Sequence, residues 1–248
     1  MLVELGVRPG APLIVHASLR GAGLGPSLVR DCLLGQLGAG GTLVVPAFTP
    51  ENSDTSLAYR TATEGLTERE KAALRASMPP FVPDSTPCPS TGALAECVRT
   101  TPGAVRSTHP QTSFAGLGPR AAELLGAHDP HCHLGERSPL AALYAADAQI
   151  LLLRVGFDVC SAFHLAEYRM TPPAPLRTYR CVVGERGNWI SYEDLVLDDS
   201  DFGVIGKRLP RELVVEREWA GKTVTLCAMR DVVDHAVDQM AGYRPGLT

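Results

Sequence analysis

The first fifty residues alternate between short apolar runs and a segment with a helical pattern. Residues 13–17 and 42–46 are apolar runs of strand length, and each follows a turn rich in glycine or proline. Between them a glycine-rich turn ends at Pro26, and Ser27 is placed to cap a helix that runs to about Leu37. A strand–helix–strand beginning is typical of parallel strands covered by helices, so the pattern predicts an α/β domain.

An irregular stretch at residues 48–87 interrupts this pattern and contains one predicted helix, at residues 67–78. An excursion of this length in a compact domain usually forms a functional loop, so we expect a variable substrate loop here. Beyond it, an apolar run at residues 149–155 predicts a central strand that is covered on both faces. Further helices are predicted at residues 92–99, 119–125 and 139–146.

The last third of the chain starts with a short predicted helix around His164. Two strand-like segments follow at residues 178–183 and 188–192, and the Gly-Glu-Arg-Gly sequence between them indicates a hairpin. A strand at residues 224–228 precedes a final helix. The sequence contains no internal repeat and no obvious linker, so we expect a single domain over residues 1–248.

Composition narrows the class of protein without identifying a ligand. The chain has 248 residues, of which 45% are hydrophobic and 20% charged, and its net charge is −4, so no nucleic-acid partner is expected. No segment approaches the length of an apolar membrane span, and no membrane association is expected. The seven cysteines include no C-x-x-C pair, and the start has no secretory leader, which favours reduced thiols and a cytoplasmic location.

A glycine-rich turn, Arg20-Gly-Ala-Gly-Leu-Gly25, follows the first predicted strand. Backbone N–H groups at the start of a helix favour phosphate, and the turn is similar to the coenzyme A loop of the general N-acetyltransferase superfamily. In that superfamily, however, the loop follows several strands rather than the first. A phosphate site and a plain tight turn both remain open for this segment.

The loop His128-Asp-Pro-His-Cys-His133 contains residue types that bind zinc. His131, Cys132 and His133 are adjacent rather than spaced as ligands, and no second cluster completes a tetrahedral site. We therefore expect a surface loop and no metal.

His164 is the candidate for acid–base chemistry. If Ser161 caps the helix, His164 and Glu167 lie three residues apart on one face, and His164 is either a catalytic base or one half of an ordinary surface pair. There is no Gly-x-Ser-x-Gly elbow and no cysteine in an activating setting, so a covalent intermediate is not expected. Direct transfer to an amine needs only a base and a polarised carbonyl.

Three motifs resemble those of one family, the aminoglycoside 3-N-acetyltransferases. The segment Ser161-Ala-Phe-His-Leu-Ala-Glu167 resembles the family's His-Leu-Ala-Glu motif, and Arg106-Ser-Thr-His-Pro-Gln-Thr-Ser-Phe-Ala115 matches a second element at six or more positions. His16-Ala-Ser-Leu19 is similar to a third element, which contacts acetyl-coenzyme A in the family.

This resemblance implies an α/β/α layered single domain with a mixed central sheet. It also implies an acetyl-CoA-dependent N-acetyltransferase that needs no metal, with His164 as general base and a downstream carboxylate as its partner, Asp194 first and Glu193 second. The residues expected to bind acetyl-CoA are His16, Ser18, Leu19, Arg20, Gly25, Ser27, Arg106, Ser107, His109 and Ser113. The residues expected to contact the acceptor are Glu51, Asp158 and Glu167.

The identity of the acceptor amine stays open between an aminoglycoside and another antibiotic-like small molecule. Residues 51–75 carry five acids against four bases, which is not the composition of a trap for a polycation. Two alternatives to this function are a non-catalytic protein that binds coenzyme A or a metabolite on the same scaffold, and a member of the general N-acetyltransferase superfamily. A homodimer is also left open.

Overall fold

A seven-stranded mixed sheet organises residues 1–244, which are the residues described by the computed structural model. The strands are β1 (Pro12–Ala17), β2 (Thr42–Pro46), β3 (Val105–Arg106), β4 (Phe114–Leu117), β5 (Gln149–Leu153), β6 (Leu176–Val182), β7 (Trp189–Leu195), β8 (Val214–Trp219) and β9 (Lys222–Ala228). The order in the large sheet is β3-β4-β2-β1-β5-β9-β8, and β6 pairs with β7 in a separate antiparallel hairpin. β1 is parallel to β2 and β5, whereas the other neighbours are antiparallel.

Helices cover both faces of this sheet. They are α1 (Leu2–Leu5), α2 (Pro26–Leu37), α3 (Leu57–Ala62), α4 (Glu68–Ser77), α5 (Ala93–Arg99), α6 (Ala121–Leu125), α7 (Pro139–Ala145), α8 (Ala162–Arg169), α9 (Phe202–Lys207) and α10 (Met229–Tyr243). Successive strand residues point to opposite faces, so Val15 packs in one core with α2 and α5, and Ile14 packs in the other with α8 and α10. The α/β/α arrangement with a mixed sheet is confirmed, and the alternative general N-acetyltransferase fold is wrong.

Local sequence explains where the helices begin, with one correction. Thr67 caps α4 and forms a capping box with Glu70, as the threonine and glutamate spacing favours. Helix α2 instead begins at Pro26 with Gly25 as its N-cap residue, and no side chain caps it. The prediction that Ser27 is the cap is therefore wrong, because proline at the first helical position starts the helix two residues earlier.

The excursion at residues 48–87 packs against the hairpin. The side chain of Asn52, in the short turn Pro50–Asn52, donates to the carbonyl oxygen of Pro110, and Phe81 forms a β-bridge with Val183 beside β6. This contact brings α3 and the hairpin to the same side of the domain.

Strands β3, β4 and β8 were not predicted. Phe114–Leu117 is a short buried strand that directly follows a polar motif. The small residues Ala115 and Gly116 obscure the hydrophobic pattern that would mark it as a strand. Val214–Trp219 is an edge strand with mostly exposed charged residues, so it lacks the apolar alternation of a half-buried strand. Within residues 1–244 no helix is both long and apolar enough to cross a membrane.

Candidate active site

A cavity of about 1410 Å³ opens at the C-terminal ends of the parallel strands. His16 of β1, Pro46 of β2 and Asp158 after β5 line it, as expected for ligand sites in open α/β sheets. The hairpin contributes Arg177 and Tyr179 from β6. Main sheet and hairpin thus form different walls of one cavity.

His164 lies on this cavity wall in the first turn of α8. Its Nδ1 is 2.6 Å from Oε2 of Glu167, and the two side chains are 13% and 0% exposed. An ionised carboxylate only accepts hydrogen bonds, so it holds the imidazole proton on Nδ1 and leaves Nε2 as the nitrogen that can take up a proton. This is the geometry of an oriented base, although Ser161 makes no capping hydrogen bond through its side chain.

Glu167 is held from its second oxygen as well. Oε1 accepts hydrogen bonds from the guanidinium of Arg244 at 2.7 Å and from the backbone N–H of Asp198 at 2.9 Å. Arg244 also bonds to both carboxylate oxygens of Asp201. The buried carboxylate is therefore compensated by a cation and two further donors, as a buried charge requires.

Asp194 does not contact His164, and the expected pairing is corrected by the structure. The Oδ2 atom of Asp194 accepts hydrogen bonds from Nδ1 of His133 at 2.9 Å and from the hydroxyl of Tyr168 at 2.7 Å. Burial alone would raise the pKa of Asp194, but the hydrogen bonds from His133 and Tyr168 outweigh it and lower the pKa. Through these hydrogen bonds Asp194 connects the hairpin to the rest of the domain. Glu193, the second residue predicted as the partner of His164, is exposed on β7.

The glycine-rich turn reaches the cavity through several of the predicted acetyl-CoA residues. Those that line the cavity are His16, Ser18, Leu19 and Arg20, whereas Gly25 and Ser27 flank the lining residue Pro26. Arg154, which sequence analysis missed, is buried and donates to the carbonyl oxygens of Ser18 and Arg20. It holds the turn in place, and its positive φ of 63° was not visible in the sequence.

His16 joins this turn to helix α8. Its Nε2 accepts a hydrogen bond from the backbone N–H of Ser161 at 2.9 Å, and burial lowers its pKa to about 4, so the ring is neutral. The proton must then sit on Nδ1. That atom is buried and has no hydrogen-bond partner among residues 1–244, so a donor is left over beside the cavity.

The Arg106 motif has a structural place instead of the predicted cofactor contacts. The Arg106 guanidinium donates to the Ser113 hydroxyl at 3.0 Å, to the carbonyl oxygen of Ala47 at 2.7 Å, and to those of Pro83 and Thr86. Its donors therefore bind the protein's own loops rather than a phosphate.

Three further residues of that motif are also used internally. The hydroxyl of Ser107 accepts from the N–H of Phe114, Ser113 donates to Ala47, and the His109 ring accepts from two backbone N–H groups. All three are buried and, like Arg106, do not line the cavity, so the cofactor prediction is corrected for the four residues of the motif that were selected.

The histidine-rich loop forms a buried stack rather than a surface loop. The ring of His109 lies 4.7 Å from that of His128 and 4.8 Å from that of His133, measured between centroids. Only His131 of the loop's histidines is exposed. The described part of the chain brings together no group of three or more His, Cys, Asp or Glu side chains that would hold a metal ion.

The three residues predicted to contact the acceptor have different positions in the structure. Asp158 lines the same cavity as His164, as do Asp198 and Asp199, which sequence analysis did not select. Glu167 is buried as the partner of His164, so it is not available to an acceptor. Glu51 is exposed in a turn where Pro50, not Glu51, lines the cavity.

Comparison with known proteins gives a family for this arrangement. A family model described as aminoglycoside 3-N-acetyltransferase matches residues 14–241. The prophage-derived aminoglycoside N(3′)-acetyltransferase-like protein YokD of Bacillus subtilis is 31% identical, over 85% of this chain and 78% of the relative. Aminoglycoside N(3)-acetyltransferase VIII of Streptomyces fradiae is 35% identical, over 86% and 74%.

Solved structures share the same fold. The crystal structure of YokD superposes with a TM-score of 0.87 at 28% identity, and the match covers 97% of this chain and 96% of that one. A structure of AAC-VIa bound to sisomicin superposes with a TM-score of 0.79 at 27% identity, covering 97% and 94%. The chain is therefore an acyltransferase and belongs to the aminoglycoside 3-N-acetyltransferase family.

Proposed function

We propose that this protein transfers an acetyl group from acetyl-CoA to an amine of an aminoglycoside or another antibiotic-like small molecule, with His164 as general base. The observation that carries the proposal is the buried Glu167 carboxylate bonded to Nδ1 of a histidine on the cavity wall. Acetyl-CoA supplies the thioester, and the protein's task is to deprotonate and position the attacking nitrogen.

An amine that is protonated near neutral pH cannot attack a thioester until it loses a proton. His164 is suited to take that proton on Nε2, because Glu167 fixes the tautomer and stabilises the imidazolium that results. As the nitrogen–carbon bond forms and the carbon–sulfur bond breaks, the proton on His164 is available to leave with the thiolate.

The cavity wall at the glycine turn fits a coenzyme. Arg20 is exposed there and forms no side-chain contact within residues 1–244, and the turn presents backbone groups held by Arg154. The leftover Nδ1–H donor of His16 lies at the same wall. These groups offer a cation for phosphate and a donor for a carbonyl oxygen, so we place acetyl-CoA along this turn.

The acceptor amine is placed beside the acidic residues Asp158, Asp198 and Asp199. All three line the same cavity as His164, so they favour an ammonium group in that cavity. Sisomicin, the ligand in the AAC-VIa structure, is an example of the antibiotic class to be tested first.

The experiment is thiol release from acetyl-CoA with a panel of amines that includes sisomicin. We expect turnover with at least one amine, and a loss of about 10²–10⁴-fold in kcat for His164→Asn with little change in acetyl-CoA affinity. His131→Asn, at the exposed residue of the histidine-rich loop, is the control and should retain activity. Acetyl-CoA binding without turnover of any amine would favour the non-catalytic alternative, and full activity of His164→Asn would exclude the general-base role.

A further inference from the structure

The charged side chains around the cavity come from different elements. Asp158 precedes α8, and Asp198 and Asp199 lie between β7 and α9, whereas Arg60 of α3 and Arg177 of β6 come from the excursion and the hairpin. These arginines belong to elements outside the main sheet, unlike Arg20 at the glycine turn. The cavity therefore presents both signs of charge to whatever fills it.

Arg177 is a cation without a carboxylate partner among residues 1–244. Its guanidinium donates to the carbonyl oxygen of Thr55 at 3.1 Å and lies 4.1 Å from the ring centroid of Tyr179. Its cross-strand neighbour, Asp194, is already bonded to His133, Tyr168 and the backbone of Leu195. The positive charge of Arg177 is thus held in place but not neutralised.

Arg60 adds a second cation from α3, a helix that begins two residues after Thr55, the acceptor of the Arg177 hydrogen bond. It is exposed, and its side chain forms no hydrogen bond or ion pair with any described residue. Leu57, three residues earlier, also lines the cavity, so this face of α3 is turned toward it. Two arginines that face one cavity and lack carboxylate partners make a site for a planar anion.

We propose that Arg60 and Arg177 form an anion subsite for the acceptor, so that the acceptor carries a carboxylate, phosphate or phosphonate group in addition to its amine. This inference rests on the proposed acetyl transfer. A polycation would meet two unpaired arginines here, whereas a zwitterion would place its ammonium group beside the aspartates and its anion between the arginines. A phosphate of coenzyme A shares the anion chemistry, and the test below separates the two sources.

The test compares ω-amino acids with amino alcohols of the same chain length as acceptors, measured by thiol release from acetyl-CoA. We expect kcat/KM to favour the amino acids by roughly tenfold to a hundredfold, mainly through KM, because charge-assisted hydrogen bonds are made only with the carboxylate. Arg177→Gln and Arg60→Gln should remove this preference. Arg180→Gln is the matched control, since Arg180 lies on the same strand but pairs with Asp54 and does not line the cavity.

Binding is measured in parallel, by thermal melts of the coenzyme A complex with each acceptor and by acetyl-CoA titration of each variant. A preference that Arg177→Gln abolishes, with acetyl-CoA affinity unchanged, supports the subsite. Equal use of acids and alcohols by the wild type overturns it and leaves the proposed transfer intact. A tenfold loss of acetyl-CoA affinity in Arg177→Gln also overturns it, because the anion is then the coenzyme's.

The same melts separate failure of the subsite from failure of the proposed function. One outcome is that no acceptor is turned over, while the amino acids stabilise the wild-type complex but not the Arg177→Gln complex. That result supports the anion subsite and contradicts the proposed acetyl transfer. If neither acids nor alcohols change turnover or melting, the subsite is wrong.

Discussion

The Oε2 atom of Glu167 lies 2.6 Å from Nδ1 of His164, one turn earlier on the same helix, and Glu167 is fully buried. Both residues come from one short segment, so their relative position depends on helix geometry rather than on long-range folding. The other oxygen of Glu167 depends on the distant Arg244.

Glu167→Gln should lower kcat by roughly 10–10²-fold, less than removal of the ring, because an amide no longer fixes the histidine tautomer or stabilises its charged form. The KM for acetyl-CoA should stay near the wild-type value. Steady-state kinetics well below the melting temperature checks this.

Asp194→Asn is the contrasting variant. It weakens the hydrogen bonds to His133 and Tyr168, so it should cost about 1–3 kcal/mol of stability with a smaller effect on kcat. If Asp194→Asn instead lowered kcat more than Glu167→Gln did, Asp194 would be the partner of His164.

Arg244→Gln should reduce kcat by about tenfold, since Glu167 loses its buried cation but keeps His164 and the N–H of Asp198. Arg244→Lys should recover only part of the activity because lysine cannot bond to Glu167 and Asp201 with the same fork. The measurement is kcat per folded molecule across pH, with exposed Arg211→Gln as control. A change confined to the melting temperature would make Arg244 merely structural.

Arg106→Ala should lower the free energy of unfolding by about 2–4 kcal/mol, because it leaves the carbonyl oxygens of Pro83 and Thr86 without their donor. Arg20→Ala should leave the unliganded melt within about 0.5 kcal/mol of the wild type, since Arg20 is exposed, and should reduce the stabilisation by acetyl-CoA. Thermal melts with and without acetyl-CoA distinguish the two. A normal melt for Arg106→Ala with a lost acetyl-CoA shift would restore its predicted cofactor role.

Stability should fall as pH decreases from about 6.5 to 4. Burial lowers the pKa of His16 and of His128 to about 4, so in this window the unfolded chain binds more protons than the folded one. Each such histidine adds about 1.4 kcal/mol per pH unit to the slope of the free energy of unfolding, and it adds nothing above pH 6.5.

Urea unfolding across pH measures this slope. His128→Gln should reduce the slope by the contribution of one histidine. The exposed variant His131→Gln should leave the slope unchanged. An unchanged slope in His128→Gln would show that His128 is protonated within the folded domain.

Local sequence patterns predicted most of the elements around the site but not all of its contacts. Residues 13–17 were predicted as a strand and lie in β1. The prediction succeeded because the same apolar run that marks the strand in the sequence causes its burial on both faces of the sheet. By contrast, neither Asp194 nor Arg106 could be placed, since the direction of a side chain depends on the neighbours that tertiary folding brings. Glu167 was visible at helical spacing from His164, and that local geometry was the better guide to the partner.

The hairpin β6–β7 belongs to a two-stranded sheet of its own, yet it supplies Arg177 and Tyr179 to the cavity. Under the proposed function, acceptor selectivity is thereby separated from the scaffold: the proposed base lies on a helix packed against the main sheet, while one wall of the cavity lies on the ribbon formed by β6 and β7. We therefore expect exchange of this ribbon between relatives to change which acceptors are used. The transplant must keep Asp194, because its bonds to His133 and Tyr168 seat the ribbon on the domain.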